Sequence, residues 1–392
     1  MGGLTSGLHE HSVSWPDPYP RAPLKVDVHH ASVLACLGGL VDGDGYFKIT
    51  KNYRTPGTKH PYYATVLGLA QLWPGVAVRI FADTLGGEVK QVLTQRGTRM
   101  ARFELGGKMA ESAARRLAPF LLAKRTQALL FLEALRLRPK RHGRTLGTER
   151  GHEDVEKVAQ ALVSVQGGLW NFSTGSVILA ASVHGYGSLT PLELGWTRQE
   201  ILAYLAGVMD SDGNFRISRQ RVSGMRWPHY RTNIRCAQVI PSPAIGLLAQ
   251  TFGGRISTKR GRKPNHRDLT SWNLHDRAAS PAIEALLPYL RVKWAEACLL
   301  LELRHLKSLG KEDLTEWQHW ARWQRPINMR KRSYSARQVA EFERVRQTLL
   351  ALHEVGRSLR PSVPARPGSA AYPTSACSSL SRSRSPRADR SG

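Results

Sequence analysis

Asp42 and Asp44, and again Asp210 and Asp212, alternate with small residues in two segments that align without a gap: Leu37-Gly-Gly-Leu-Val-Asp-Gly-Asp-Gly45 and Leu205-Ala-Gly-Val-Met-Asp-Ser-Asp-Gly213. Carboxylates held in pairs are hard oxygen donors that suit a divalent cation such as Mg²⁺. The chain around them carries a net charge of +27, so an acidic site here is expected to face phosphates. The bland alternative is that each Asp-Gly step merely makes a turn. That is an even bet for one copy and a poor one for two.

Positioning the acids falls to the residues just upstream. Val33, Leu34, Leu37, Leu40 and Val41 recur at helical spacing, as do Ile201, Leu202, Leu205, Val208 and Met209. One face of each helix is small: Ala35, Gly39 and Gly43 in the first, Ala203, Gly207 and Ser211 in the second. Glycine within a helix costs about 1 kcal/mol relative to alanine. Close approach of another backbone would explain it, and the two helices are expected to pack together as the seam of a duplicated molecule. The acids then lie at the helix C-termini, where the dipole disfavours negative charge and two copies repel one another. A cation relieves both.

The duplication runs on past the acids. Ala70-Gln71-Leu-Trp-Pro recurs as Ala237-Gln238-Val-Ile-Pro, and each is followed by a Gly-Gly pair, Gly86-Gly87 and Gly253-Gly254. Phe103-Glu-Leu105 answers Trp272-Asn-Leu274, and Pro119-Phe-Leu-Leu-Ala-Lys124 answers Pro288-Tyr-Leu-Arg-Val-Lys293. Self-similarity of this length means a repeated supersecondary unit. Each unit reads as a motif helix, strands at 46–52 and 62–72 (214–220 and 229–239), a helix ending at the Gly-Gly pair, strands at 88–94 and 100–105 (255–259 and 269–274), and helices, the last at 124–137 (293–308). The fold class is α+β, with a four-stranded antiparallel sheet in each unit. Along the first strand, Phe47 and Ile49 share one face and Tyr46, Lys48, Thr50 and Asn52 the other; Phe215 and Ile217 likewise oppose Asn214, Arg216, Ser218 and Gln220. The second set of each strand hydrogen-bonds phosphates and base edges readily. For a lone strand it would pass as a solvated face.

On these residues the chain resembles the monomeric, two-repeat LAGLIDADG homing endonucleases. The resemblance implies tandem pseudo-symmetric αββαββα repeats whose sheets form a DNA-binding saddle. It implies that Asp44 and Asp212 bind the catalytic metal, Mg²⁺ or Mn²⁺, with Gly43 and Ser211 beside them as ligands. It places Gln71 and Gln238 near metal-bound water and Lys124 and Lys293 close to the scissile phosphates. The sheet faces, with Lys90, Arg255 and Ser257 added, would meet the duplex, and a loop carrying Arg330, Lys331 and Arg332 would grip its backbone. The implied activity is metal-dependent hydrolysis of one phosphodiester per strand of double-stranded DNA, at a long asymmetric target, by a monomer. An intron-encoded RNA maturase on the same fold, with intron RNA as partner, is the alternative. An intein is excluded, because Met1 and Gly392 supply neither the nucleophile nor the His-Asn end. Gly38, where the family has alanine, is a departure.

Composition narrows the remainder. Fifty-seven Lys and Arg stand against 30 Asp and Glu, a nucleic-acid signature; no long apolar run suggests a membrane. Cys36, Cys236, Cys298 and Cys377 form no CxxC pair and fit neither zinc nor a disulfide framework. With no visible signal peptide, an intracellular, cytoplasmic (or nucleoid or organelle-matrix) location is expected. The start Met-Gly-Gly-Leu-Thr-Ser matches a myristoylation pattern and reads as coincidence. Boundaries are expected at 1–30 (proline-rich arm), 31–137 (first repeat), 138–194 (basic linker with a helix near 152–165), 195–310 (second repeat), 311–355 (extension with Trp317, Trp320 and Trp323 in helix and the basic loop) and 356–392 (disordered Arg/Ser/Pro tail).

Overall fold

The computed structural model describes residues 30–52, 62–73, 75–94, 97–137, 149–167, 195–221, 227–240, 242–261, 267–309 and 336–358. The N-terminal arm, the three expected tryptophans, the basic loop with Arg330, Lys331 and Arg332, and the tail beyond 358 lie outside these residues.

The first half runs α1 (His30–Asp44), β1 (Gly45–Asn52), β2 (Tyr62–Leu72), α2 (Val76–Leu85), β3 (Val89–Leu93), β4 (Arg99–Gly106), α3 (Gly107–Leu117), α4 (Arg125–Leu137) and α5 (Glu149–Gly167). The second repeats the order as α6 (Arg198–Asp212), β5 (Gly213–Gln220), β6 (His229–Val239), α7 (Pro243–Phe252), β7 (Arg255–Lys259), β8 (Leu269–His275), α8 (Ala279–Leu286), α9 (Trp294–Leu309) and α10 (Ala336–Ser358). Each half carries one antiparallel sheet, ordered β1-β2-β4-β3 and β5-β6-β8-β7. The expected strands fall within a residue or so of those observed. The alternation of apolar and polar side chains sets one face of each sheet against its own core, with Phe47, Leu67 and Phe103 buried in the first and Phe215, Ile234 and Trp272 in the second. Gly86, Gly87, Gly253 and Gly254 all take positive φ (76°, 109°, 69° and 100°); there the chain turns from helix to strand edge in a conformation that glycine allows.

The helix of the linker packs on the first half as α10 packs on the second. Their buried faces correspond residue by residue, Val155, Val158 and Leu162 with Phe342, Val345 and Leu349. Between these, Glu156 accepts a hydrogen bond from Tyr63 Oη (2.5 Å) and pairs with Lys51 (3.0 Å), while Glu343 accepts from Tyr230 Oη (2.6 Å) and faces Arg219 (3.7 Å). The repeated unit therefore includes a closing helix. α10 continues to Ser358, past the boundary expected at 355. Among the described residues no helix is long and apolar enough to cross a membrane.

Everything meets at α1 and α6, whose contact is the most extensive of any two elements described. The small stripes face each other as expected. A Cβ added to Gly39 would stand 2.1 Å from the Tyr204 carbonyl oxygen, and one added to Gly207 2.0 Å from that of Cys36. Gly38 is explained in the same way. Its added Cβ would stand 2.3 Å from the Phe120 carbonyl oxygen, so the alanine usual in the family has no room.

Asp42 and Asp210 belong to this scaffold. Asp42 accepts from the backbone N–H groups of Leu122 (2.7 Å), Ala123 (3.0 Å) and Lys124 (2.8 Å), and Asp210 from those of Arg291 (2.7 Å) and Lys293 (2.9 Å). They cap the entries to α4 and α9 from within. Only the last acid of each pair faces the seam's end. Burial pushes both carboxyls above the usual carboxylate range, and the donated hydrogen bonds oppose it. Asp42 gains one donor more, Tyr204 Oη at 2.7 Å from the other half.

Two predictions follow from the seam. Gly207→Ala should lower the unfolding free energy by about 1–3 kcal/mol or more, since the carbonyl it meets is backbone and can yield only if the helices part; chemical denaturation measures it. Tyr204→Phe should cost about 1.5–3 kcal/mol, the worth of a hydrogen bond to a charged group. The hydroxyl favours ionised Asp42, so removing it raises that carboxyl further. The deficit should widen as pH rises through the Asp42 titration and shrink in acid, where Asp42 is protonated in both proteins; a deficit independent of pH would refute the assignment.

Candidate active site

α1 and α6 end at Asp44 and Asp212, and the chain enters β1 and β5 at once through Gly45 and Gly213. At this end the two halves touch. A Cβ placed on Gly43 would lie 2.0 Å from Ser211 Oγ and 3.0 Å from Asp212 Oδ2, so the Asp212 carboxylate rests against the partner helix. Burial pushes the Asp212 carboxyl up, and the negative charge of Asp44 pushes in the same direction.

Each acid is held by a glutamine from the neighbouring strand. Gln71 Nε2 donates to Asp44 Oδ2 at 2.7 Å, and Gln238 Nε2 to Asp212 Oδ2 at 2.8 Å. One oxygen of each carboxylate is thereby engaged and its rotamer set. Ser242 Oγ donates to Gln238 Oε1 at 2.5 Å and fixes which way that amide points; the corresponding position in the first half is Gly75, which has no side chain to do so.

The two lysines lie beneath the acids. Lys124 Nζ donates to the carbonyls of Val41 (2.7 Å), Gly43 (2.8 Å) and Gly45 (2.8 Å). Lys293 Nζ donates to those of Met209 (2.9 Å), Ser211 (3.2 Å) and Gly213 (2.7 Å). Two protons of each ammonium go to carbonyls of the last turn of the motif helix and the third to the first carbonyl of the following strand, where a cation also complements the dipole. Burial lowers the pKa of Lys124, while Asp42, Asp212 and Asp44 act to keep it charged. Gly43 and Ser211, expected as metal ligands, have carbonyls that already accept from these lysines.

The donor set suits a hard cation. Two carboxylates from different helices lie close enough to repel one another, and that repulsion is what a divalent ion relieves. Among the described residues no group of three or more His, Cys, Asp or Glu side chains comes together, so water and substrate oxygens would complete the shell.

The groove face extends outward from the acids. Asn214 and Arg216 are exposed and Ser218 partly so, and with Gln220 they line a trough of about 640 Å³ that starts at Asp212. Arg255 stands in register with Asn273, itself part of the trough. Ser257 is beside Ser271, their hydroxyls 3.0 Å apart. Sequence reading missed half the lining: Arg231, Asn233 and Arg235 on β6, with Asn273 and His275 on β8. The signal was available, since those on β6 alternate with buried Tyr230, Thr232, Ile234 and Cys236, and those on β8 with buried Trp272 and Leu274. In the first half Tyr46, Lys48, Thr50 and Asn52 do share the face opposite to Phe47, and Lys90 is in register with Arg102. The Tyr46 hydroxyl, however, donates to Glu104 Oε1 at 2.6 Å.

No family model and no curated protein matches the chain. Solved structures do. The chain is similar to the I-SmaMI LAGLIDADG homing endonuclease bound to cleaved DNA, with a TM-score of 0.51 at 14% identity over 80% of this chain and 95% of that one. It is similar to the I-LtrWI LAGLIDADG homing endonuclease bound to target DNA, with 0.51 at 14% over 81% and 97%, and to the LAGLIDADG meganuclease I-AabMI bound to uncleaved DNA, with 0.50 at 16% over 80% and 98%. I-SmaMI has also been solved with its uncleaved DNA target in the presence of calcium ions. The shared architecture is two α+β halves joined through motif helices: this chain has the fold of the LAGLIDADG homing endonucleases.

Proposed function

We propose that the chain is a site-specific endonuclease that hydrolyses one phosphodiester in each strand of a DNA duplex at a long, asymmetric target. One observation carries the reading. Asp44 and Asp212 are brought together across the α1–α6 seam, each oriented by a glutamine, at the head of a polar and cationic groove. Such paired acids on a basic protein suit cleavage of a polyanion, and the DNA-bound neighbours of the same fold support duplex DNA as the partner. The RNA maturase alternative draws no support from the comparisons.

Asp44 and Asp212 would hold the divalent cation, Mg²⁺ or Mn²⁺. When bound, such an ion lowers the pKa of water and stabilises charge on the phosphate oxygens. The chain's own contribution is placement. The glutamines fix the carboxylates. The lysines draw the helix-end carbonyls together and put positive charge below a site that must admit phosphate. The two sheets hold the duplex so that each strand's phosphate meets one acid. Because the sheet faces of the two repeats differ, the two halves of the target differ as well.

Asp44→Asn or Asp212→Asn should abolish double-strand cutting while gel-shift affinity in chelator is retained, and removal of divalent cation should stop the wild type; linearisation of a plasmid by either variant would refute the acid assignment. Gln71→Ala or Gln238→Ala should slow cutting by about 10–100-fold, the usual weight of an outer residue that orients a ligand. Single-turnover rates measure that loss, and an unchanged rate would leave the glutamines without the assigned role.

A further inference from the structure

The two groove faces differ in kind. On the second sheet the central strand β6 turns His229, Arg231, Asn233 and Arg235 to the concave side, in register with Gln220, Ser218, Arg216 and Asn214 of β5. At the matching positions of the first sheet, β2 presents Tyr62, Ala64, Val66 and Gly68, in register with Asn52, Thr50, Lys48 and Tyr46 of β1. Directly opposed residues share a face, so Ala64, Val66 and Gly68 lie on the surface that would meet the duplex. Ala64 and Val66 are partly exposed there, as is Ala70 one step nearer the acids. Three of the polar groups on this face bond one another. Arg102 donates to Tyr46 Oη (3.2 Å) and Glu104, Tyr46 Oη donates to Glu104, and the Tyr46 ring lies over Gly68, where an added Cβ would meet its Cζ at 2.3 Å. On the second face Arg231 pairs with Asp276 (3.3 Å) and Asn233 Nδ2 lies 2.8 Å from His275 Nδ1, but Arg216, Arg235 and Arg255 meet no carboxylate in their register rows, whereas Glu104 stands in the middle of the first.

In the major groove, arginine and asparagine read guanine and adenine edges, while a small apolar side chain has one specific partner, the C5 methyl of thymine. We infer that the first repeat reads its half of the target through thymine methyl groups packed on Ala64, Val66 and Ala70, and that the second reads purine edges through Arg216, Asn233 and Arg235. This rests on the endonuclease reading and specifies its substrate: a duplex with one thymine-rich half whose recognition depends on methyl groups.

The test needs no cleavage. Duplexes retained by the full chain in chelator are selected from a randomised library, and the consensus is resynthesised with uracil for thymine in one half at a time, which removes the methyls and keeps the pairing. One half should be thymine-rich and lose affinity about fourfold for each contacted methyl removed, the worth of one buried methyl group; the other should lose nothing. Val66→Asn, which installs the amide found at Asn233, should move one preferred thymine to adenine in the sensitive half, and Arg235→Ala should relax a purine in the other. The inference is overturned if uracil costs nothing in either half, if it costs the same in both, or if Val66→Asn and Arg235→Ala alter the same half. Each of those results leaves the endonuclease reading standing. A selection that retains no duplex removes both.

Discussion

The approach of α1 to α6 is the constraint on which the site depends. Backbone meets backbone at Gly39 and Gly207, and only at that separation do the helix ends carry Asp44 and Asp212 to one place. The arrangement is electrostatically adverse: two carboxylates, two negative dipole ends and partial burial coincide. The offset is built from the same chain, through Lys124 and Lys293, whose ammonium groups occupy the terminal carbonyls of both helices. Seam and site are thus one structure. Widening the first would disperse the second, and a cation between the acids would tighten both.

Much of this was legible in the sequence because it is periodic. The small stripes, the alternating strands and the paired Gly-Gly turns each have a single geometric solution, and the duplication stated every one of them twice. The glutamines stood out because each repeats in the same short frame. The four aspartates were harder. Asp42 and Asp44 look alike in sequence, yet two residues advance an α-helix by about 200°, so one carboxylate turns back into its own half and the other faces the seam. What Asp42 caps is the backbone around Lys124, far along the chain, and local pattern cannot announce such a partner. The lysines stood out through the repeated frame around them, but their acceptors, backbone carbonyls, leave no mark in side-chain types. A helix near 152–165 was expected, but its correspondence with α10 was missed for another reason. Glu156-Lys-Val and Glu343-Arg-Val match well, but they follow connections of unequal length, and a comparison at constant spacing passes over them.

Comparing the halves separates what the fold requires from what it leaves free. Asp, Gln, Lys and Glu recur at Asp44 and Asp212, Gln71 and Gln238, Lys124 and Lys293, and Glu156 and Glu343, and in each pair both members make the same kind of bond. These contacts close locally, within one repeat, so each repeat had to keep its own set. Contacts that cross the seam need only one donor, and they have diverged: Tyr204 reaches Asp42, while the residue at its matching position, Cys36, makes a sulfur contact with the Tyr289 carbonyl. The concave faces have diverged further still, with Val66 and Gly68 where the other half has Asn233 and Arg235. No packing requirement of the fold couples these two surfaces. On the proposed reading, a partner with unlike halves accounts for their difference without any change in the scaffold that holds the acids.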